Sequence, residues 1–153
     1  MIRAIILVVI LSVTTQMQTC KKKNKNNDAT GNTKSEMVNP VKKVVIDRSM
    51  TPVPAIDDLK ISSASISQSF LTVTFSYTGT DDDDFDLIFN GMYMKSLPPQ
   101  ATVRLKQVKK SGEVGTQTKT MIFDVEQMKS NGTELHIKLD GFSDKLVYKY
   151  SEK

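Results

Sequence analysis

Leu71-Thr72-Val73-Thr74-Phe75-Ser76-Tyr77 decides the fold class. Four large apolar side chains alternate with three hydroxyl side chains, the two-residue period that puts one set on a buried face and the other in water. Wound into a helix, the same four would fall on two opposite sides and could not share one core. Upstream, residues 59–66 followed by Ser67-Gln68-Ser69 predict a strand and turn that close an antiparallel hairpin onto this stretch. Downstream, Phe85, Leu87 and Phe89 alternate again, and Asn90-Gly91 supplies the positive backbone angles of a tight hairpin turn, with residues 92–95 as the return strand.

Pro98-Pro99 bars both helix and ladder pairing, so an extended crossing is expected before a strand over 101–108. Residues 111–115 read as a loop, and Lys119, Met121, Phe123 and Val125 mark the next strand. Residues 124–129 hold the one helical turn that the pattern supports. Asn131-Gly132 and Asp140-Gly141 then punctuate two further alternations, Leu135/Ile137/Leu139 and Leu146/Tyr148/Tyr150. Short strands with turn signals and no long helix between them predict an all-β fold, an immunoglobulin-like antiparallel β-sandwich of about seven or eight strands. The alternative is a small β-barrel, because alternation does not separate two packed sheets from one rolled sheet.

The N-terminal end carries a different signal. Met1 and Arg3 precede residues 4–13, which are apolar apart from Ser12, and Thr14, Thr15, Gln16 and Gln18 end the run. That stretch suits the apolar region of a signal peptide and is half the roughly 20 residues that a spanning helix needs. Residues 1–19 are therefore expected to be a cleaved signal peptide. The single cysteine, Cys20, follows at once and has no partner for a disulfide. Residues 21–39 are Lys, Asn, Thr, Gly and Ser with almost no apolar side chains, too little to offset the entropy of ordering. As a random coil this tether spans on the order of 25 Å. The expected division is signal peptide 1–19, Cys20 and tether 20–40, and β domain 41–153.

Charge follows the same division. The chain has 21 Lys and Arg against 17 Asp and Glu, a formal +4. Lys21, Lys22, Lys23, Lys25 and Lys34 against Asp28 and Glu36 place most of that surplus in the tether, leaving the β domain near neutral. A nucleic-acid partner is not expected, since that needs cations gathered on a folded face with aromatics placed to stack on bases.

Cys20 followed by Lys21-Lys22-Lys23 resembles the start of Bacteroidetes lipoproteins, in which the cysteine becomes the lipid-bearing first residue. Met17-Gln18-Thr19 departs from the usual residues before that cysteine, which leaves open an ordinary cleavage nearby and a free thiol. The pattern of Leu71 to Tyr77, Phe85-Asp86-Leu87-Ile88, Lys95-Ser96-Leu97-Pro98-Pro99, Phe123-Asp124-Val125 and Leu146-Val147-Tyr148-Lys149-Tyr150 is also similar to small flavobacterial-type lipoproteins. The resemblance implies an exported, membrane-anchored β domain in the cell envelope, facing the periplasm or the cell surface, and supplies no activity.

Candidate sites are few. Asp81, Asp82, Asp83, Asp84 and Asp86 crowd carboxylates that hard cations prefer, so a calcium-stabilised loop is one reading. The run lacks the spacing that folds such side chains around an ion, and a wet turn is the plainer reading; no other cofactor is implied. Ser96, Leu97, Pro98 and Pro99 could form a rigid recognition loop or a crossover that the fold requires. His136, the only histidine, alternates with Leu135 and Ile137 and is expected to face solvent without a partner. Glu113, Glu126 and Glu134 are the candidates should a carboxylate-based hydrolase be considered. The expected role is non-enzymatic: a lipoprotein attached to the membrane through its anchor, whose end loops contact an unknown envelope protein or polysaccharide. The alternative is an envelope inhibitor of a protease or lysozyme acting through Leu97-Pro98-Pro99.

Overall fold

The computed structural model describes residues 39–49 and 52–151. The expected signal peptide, Cys20 and the expected tether up to residue 38 lie outside the described residues. Leu71 to Tyr77 lie in β4 (Phe70–Gly79), an inner strand of its sheet, with Leu71, Val73, Phe75 and Tyr77 buried and the intervening Thr and Ser side chains half-buried. β3 (Lys60–Ser67) pairs with it as the predicted hairpin, and the turn residue Gln68 takes a positive φ of 56°. On its other side lies β7 (Gly115–Asp124), antiparallel over ten residue pairs. β1 (Val41–Lys43) completes a four-stranded sheet in the order β1-β7-β4-β3.

The second sheet runs β2-β5-β6-β8-β9, with β2 (Val45–Ile46), β5 (Asp84–Met94), β6 (Gln100–Val108), β8 (Glu134–Leu139) and β9 (Leu146–Lys149). The only helical turn among the described residues is a 3-10 turn at Glu126–Met128, where one was predicted. The fold is all-β with nine strands among the described residues. It is a two-sheet sandwich, not the closed barrel held as the alternative. Among the described residues no helix is long and apolar enough to cross a membrane.

Both sheets are mixed, where antiparallel sheets were expected: β1 runs parallel to β7, β2 to β5 and β6 to β8. The first two pairings come from one short segment that switches sheets. Val44, 4% exposed, is the buried pivot between β1 and β2. The third follows from connectivity, because the chain leaves β6 for β7 in the other sheet and returns beside β6 in the same direction.

Asn90-Gly91 does not turn the chain. Phe89 pairs with Val103 and Tyr93 with Ala101, so the extra residues are absorbed as a bulge inside a continuous β5. Asn90 Oδ1 accepts from Met92 N at 3.0 Å and Gly91 has φ 77°. The positive angle that a hairpin turn wants is the one that this bulge uses. The turn itself comes later, at residues 95–99, with a cis Leu97–Pro98 peptide. Pro98-Pro99 therefore shape the β5–β6 hairpin loop, and the predicted crossing is not there.

The core lies between the sheets. Phe75, Tyr77 and Phe85 form an aromatic cluster at one end, Phe85 standing edge-on to the other two at centroid distances of 4.7 and 4.6 Å. Such edge-to-face pairs add about 0.5–1.5 kcal/mol each beyond the area they bury.

Candidate functional site

β5 separates the two loops singled out in the sequence. The Asp run leads into its first residue and the Ser96–Pro99 loop follows its last, so they sit at opposite ends of the sandwich, roughly 30 Å apart at about 3.3 Å per residue. They do not form one surface.

At the first end the carboxylates divide by role. Asp83 is 2% exposed and turned inward. Its Oδ1 accepts from Lys110 N at 2.6 Å and Thr80 Oγ1 at 2.8 Å, and its Oδ2 from Gln107 Nε2 at 2.6 Å and Thr80 N at 3.2 Å. The Lys110 amide does most to hold this carboxyl at about 2, and the Thr80 and Gln107 bonds help against the opposing effect of burial. Lys119 Nζ donates to the carbonyls of Asp81 and Asp83. Tyr77 Oη donates to Thr80 O at 2.7 Å, tying the loop to the aromatic cluster.

Gly79 makes this packing possible. A Cβ there would press on Asp83 Oδ2 and lie 2.7 Å from Gln107 Nε2 and 2.8 Å from a Tyr77 ring carbon. Asp84 and Asp86 turn a different way, both onto Lys42 Nζ at 3.0 and 2.7 Å, and Phe85 O accepts from the same amine at 2.9 Å. Burial alone would lower the Lys42 pKa, but the bonds to Asp86 and Asp84 outweigh it and raise it. Asp81 and Asp82 stay exposed, Asp81 beside Glu113 and Val114. The five carboxylates proposed for calcium therefore do not converge, and no group of three or more His, Cys, Asp or Glu among the described residues could hold a metal ion.

At the other end, Leu97 is 101% exposed at the tip of the β5–β6 loop, with Met92 at 51% and Met94 at 60% beside it. The loop is braced from below. Ser96 Oγ donates to Pro98 O at 2.8 Å, and Tyr93 stacks edge-on against Phe89 while its hydroxyl donates to Met128 O at 3.1 Å. Arg48 lies over Gly91 in the same region.

His136 has a partner, contrary to expectation. Its Nε2 lies 2.7 Å from Glu134 Oε1, and its side chain is only 13% exposed. The pair shares the outer face of β8, where residues two apart point the same way. Beside it, Gln100, Lys138, Phe142 and Lys145 help to line a cleft of about 180 Å³. Glu113 and Glu126 are elsewhere, Glu113 beside Asp81 and Glu126 on Lys129 at 3.0 Å. The three glutamates are not brought together.

Arg104 was not foreseen as a site residue. Its Nε donates to Asp140 Oδ2 at 2.6 Å and its Nη1 to Val53 O at 3.2 Å, between clefts of about 340 and 210 Å³ lined by Val53 on both sides. Arg104 lies on the outer face of β6 between the buried Val103 and Leu105, but nothing in the sequence marks the backbone strap that crosses it there.

No family model matches the chain, and no curated protein matches its sequence. Two solved structures resemble it. One is a DUF1344 protein of unknown function from Bacteroides vulgatus, with TM-score 0.50 and 15% identity over 75% of this chain and 59% of that one. The chain thus spans less than two thirds of that protein's length. The other is a candidate lipoprotein of Bacteroides fragilis, with TM-score 0.44 and 9% identity over 73% of this chain and 72% of that one. At these identities the likeness to the first is one of fold.

Proposed function

We propose that the protein is a cell-envelope lipoprotein, exported by residues 1–19 and anchored through an acylated Cys20. Its sandwich acts as a non-catalytic binding or structural module for an envelope protein or polysaccharide. The anchor rests on the brief apolar leader, the lone cysteine behind it and the polar tether. Two acyl chains, at about 0.8 kcal/mol per buried methylene, hold a protein durably where one does not.

The observation that carries the binding role is the inward lock on Asp83. Four donors on one carboxylate hold residues 80–84 in a single shape, and that shape presents Asp81 and Asp82 to solvent, with exposed Glu113 and Val114 beside Asp81. A preformed loop loses little entropy on binding, and loops on a rigid scaffold carry most recognition.

Mass spectrometry of the mature protein from its native host tests the address. An N-terminus at Cys20 carrying acyl chains is expected, and a cytosolic chain still bearing Met1 would overturn it. A photo-crosslinker at Asp82 tests the surface, with one at the exposed Ser65 of the edge strand β3 as the control. Specific envelope adducts are expected at residue 82, and equal labelling at both positions counts against the assignment.

A further inference from the structure

Asn-Gly occurs twice in the chain, at Asn90-Gly91 and Asn131-Gly132, and the fold treats the two in opposite ways. An asparagine followed by glycine carries a chemistry of its own. The glycine backbone nitrogen can attack the asparagine carboxamide carbon, Cγ, and close a succinimide ring, an approach that the missing glycine side chain leaves uncrowded. Closure requires a carboxamide free to swing and a backbone N–H that nothing else holds.

Asn90 is kept from that geometry. Its Oδ1 already accepts from Met92 N at 3.0 Å, and its bulge lies inside β5 with pairing to β6 on both sides. Gly91 is half-buried under Arg48, whose Nε would lie 3.1 Å from a Cβ built there.

Asn131 is exposed in the loop between the 3-10 turn and β8. Among the described residues neither its carboxamide nor Gly132 N makes a hydrogen bond, and a Cβ built on Gly132 would meet nothing within 4 Å. The flanks of the dipeptide are nevertheless fixed, both to Tyr150. Ser130 N donates to Tyr150 Oη at 3.1 Å, Tyr150 Oη donates to Ser130 O at 3.3 Å, and Tyr150 N donates to Thr133 O at 2.9 Å. Asn131-Gly132 is a free span between two clamps.

We propose that Asn131 is a site of spontaneous deamidation and isomerisation, selected over Asn90 by the fold. Gly132 N bonds to Asn131 Cγ and loses its proton, the bond from Cγ to the amide nitrogen breaks, and ammonia leaves. Water then adds to either carbonyl of the succinimide and opens it to aspartate or isoaspartate, with no oxidation or reduction. Both products place a new carboxylate at 131. Isoaspartate also routes the backbone through the side chain, one methylene longer, between the clamps. The clamp on the Tyr150 side chain is the one that can move, so the Ser130–Tyr150 Oη bond opens as isoaspartate forms. None of this depends on the anchor or on a binding partner.

The full chain is held in mildly alkaline buffer, sampled over days and digested with trypsin, which releases Asn131 in peptide 130–138 and Asn90 in peptide 61–95. Conversion of amide to acid is expected to run roughly tenfold faster in the first peptide than in the second, the scale of one hydrogen bond that must open at Asn90. In concentrated urea the two rates should converge, because the fold alone separates them. Isoaspartate at 131 is scored with an isoaspartyl methyltransferase. Hydrogen exchange at Ser130 N should quicken as it accumulates, and Asn131→Gln aged alongside should keep the starting exchange rate.

Equal rates at the two positions in the folded chain would overturn the assignment. So would a residue 131 that stays an amide for as long as the urea-unfolded chain takes to convert. Conversion at 131 with unchanged exchange at Ser130 would overturn the release of the Tyr150 clamp.

Discussion

Gly79→Ala tests whether the Asp83 lock is as tight as its geometry implies. The added methyl would meet Asp83 Oδ2, Gln107 Nε2 at 2.7 Å and a Tyr77 ring carbon at 2.8 Å, all below the approach that real Cβ atoms make. Asp83 and Tyr77 cannot retreat freely. Moving Asp83 stretches its bonds to Thr80 and Lys110, and moving Tyr77 disturbs its contacts with Phe75 and Phe85. Overpacking of a filled interior costs about 1–3 kcal/mol. For a domain of this size that lowers the thermal midpoint by roughly 5–15 °C, read by circular dichroism at neutral pH.

The variant should also change the acid limb. In the parent, the Asp83 carboxyl is held at about 2 against an ordinary 3.8, so its contribution is complete above 3.8 and is lost as pH falls through about 2. With the lock forced open the carboxyl returns toward its ordinary value. The gap between parent and variant should then be widest near neutrality and narrow in strong acid. A loss below about 0.5 kcal/mol at neutral pH, the scale of an ordinary surface change, would refute the close packing inferred here.

Two further outcomes follow from the same end of the molecule. Lys42→Met removes the cation shared by Asp84 and Asp86 and should cost about 1 kcal/mol at neutral pH in urea unfolding, a modest figure because these groups are partly exposed. The raised Lys42 pKa makes that contribution present below its ordinary 10.5 and lost as pH climbs through the folded value. Asp84 is pushed upward by burial but lowered overall by Lys42 and Phe85 N, so its share is present above 3.8 and fades in acid. A flat difference between parent and variant across that whole range would contradict the pairing. Millimolar calcium should leave the thermal midpoint unchanged, since Asp83 is filled by protein donors and Asp84 and Asp86 by Lys42; a calcium-dependent rise would show that these carboxylates rearrange around an ion.

The all-β class, the β3–β4 hairpin, the 3-10 turn and the inward faces of β4, β7 and β8 were all legible in the chain, because a two-residue period is a local property that needs no knowledge of the partner strand. Asn90-Gly91 was misplaced for a related reason. Positive φ is a local demand, but whether it turns the chain or bulges a continuing strand depends on whether β6 pairs on both sides of it, which only the assembled sheet decides. The parallel pairings likewise arise from which sheet each strand joins, and Val41 to Ile46 is too short to announce two strands.

Five neighbouring carboxylates were visible from composition, yet their division into one inward anchor, two partners of Lys42 and two exposed acids was not. Lys110 N lies 27 residues from Asp83 and Lys42 lies 44 from Asp86, so the donors that assign each role arrive only when distant segments meet. Local alternation tells which way a side chain faces. What it meets there is set by long-range pairing, and that is why His136 gained Glu134, Arg104 gained a strap across its face, and the two candidate loops parted to opposite ends of one strand.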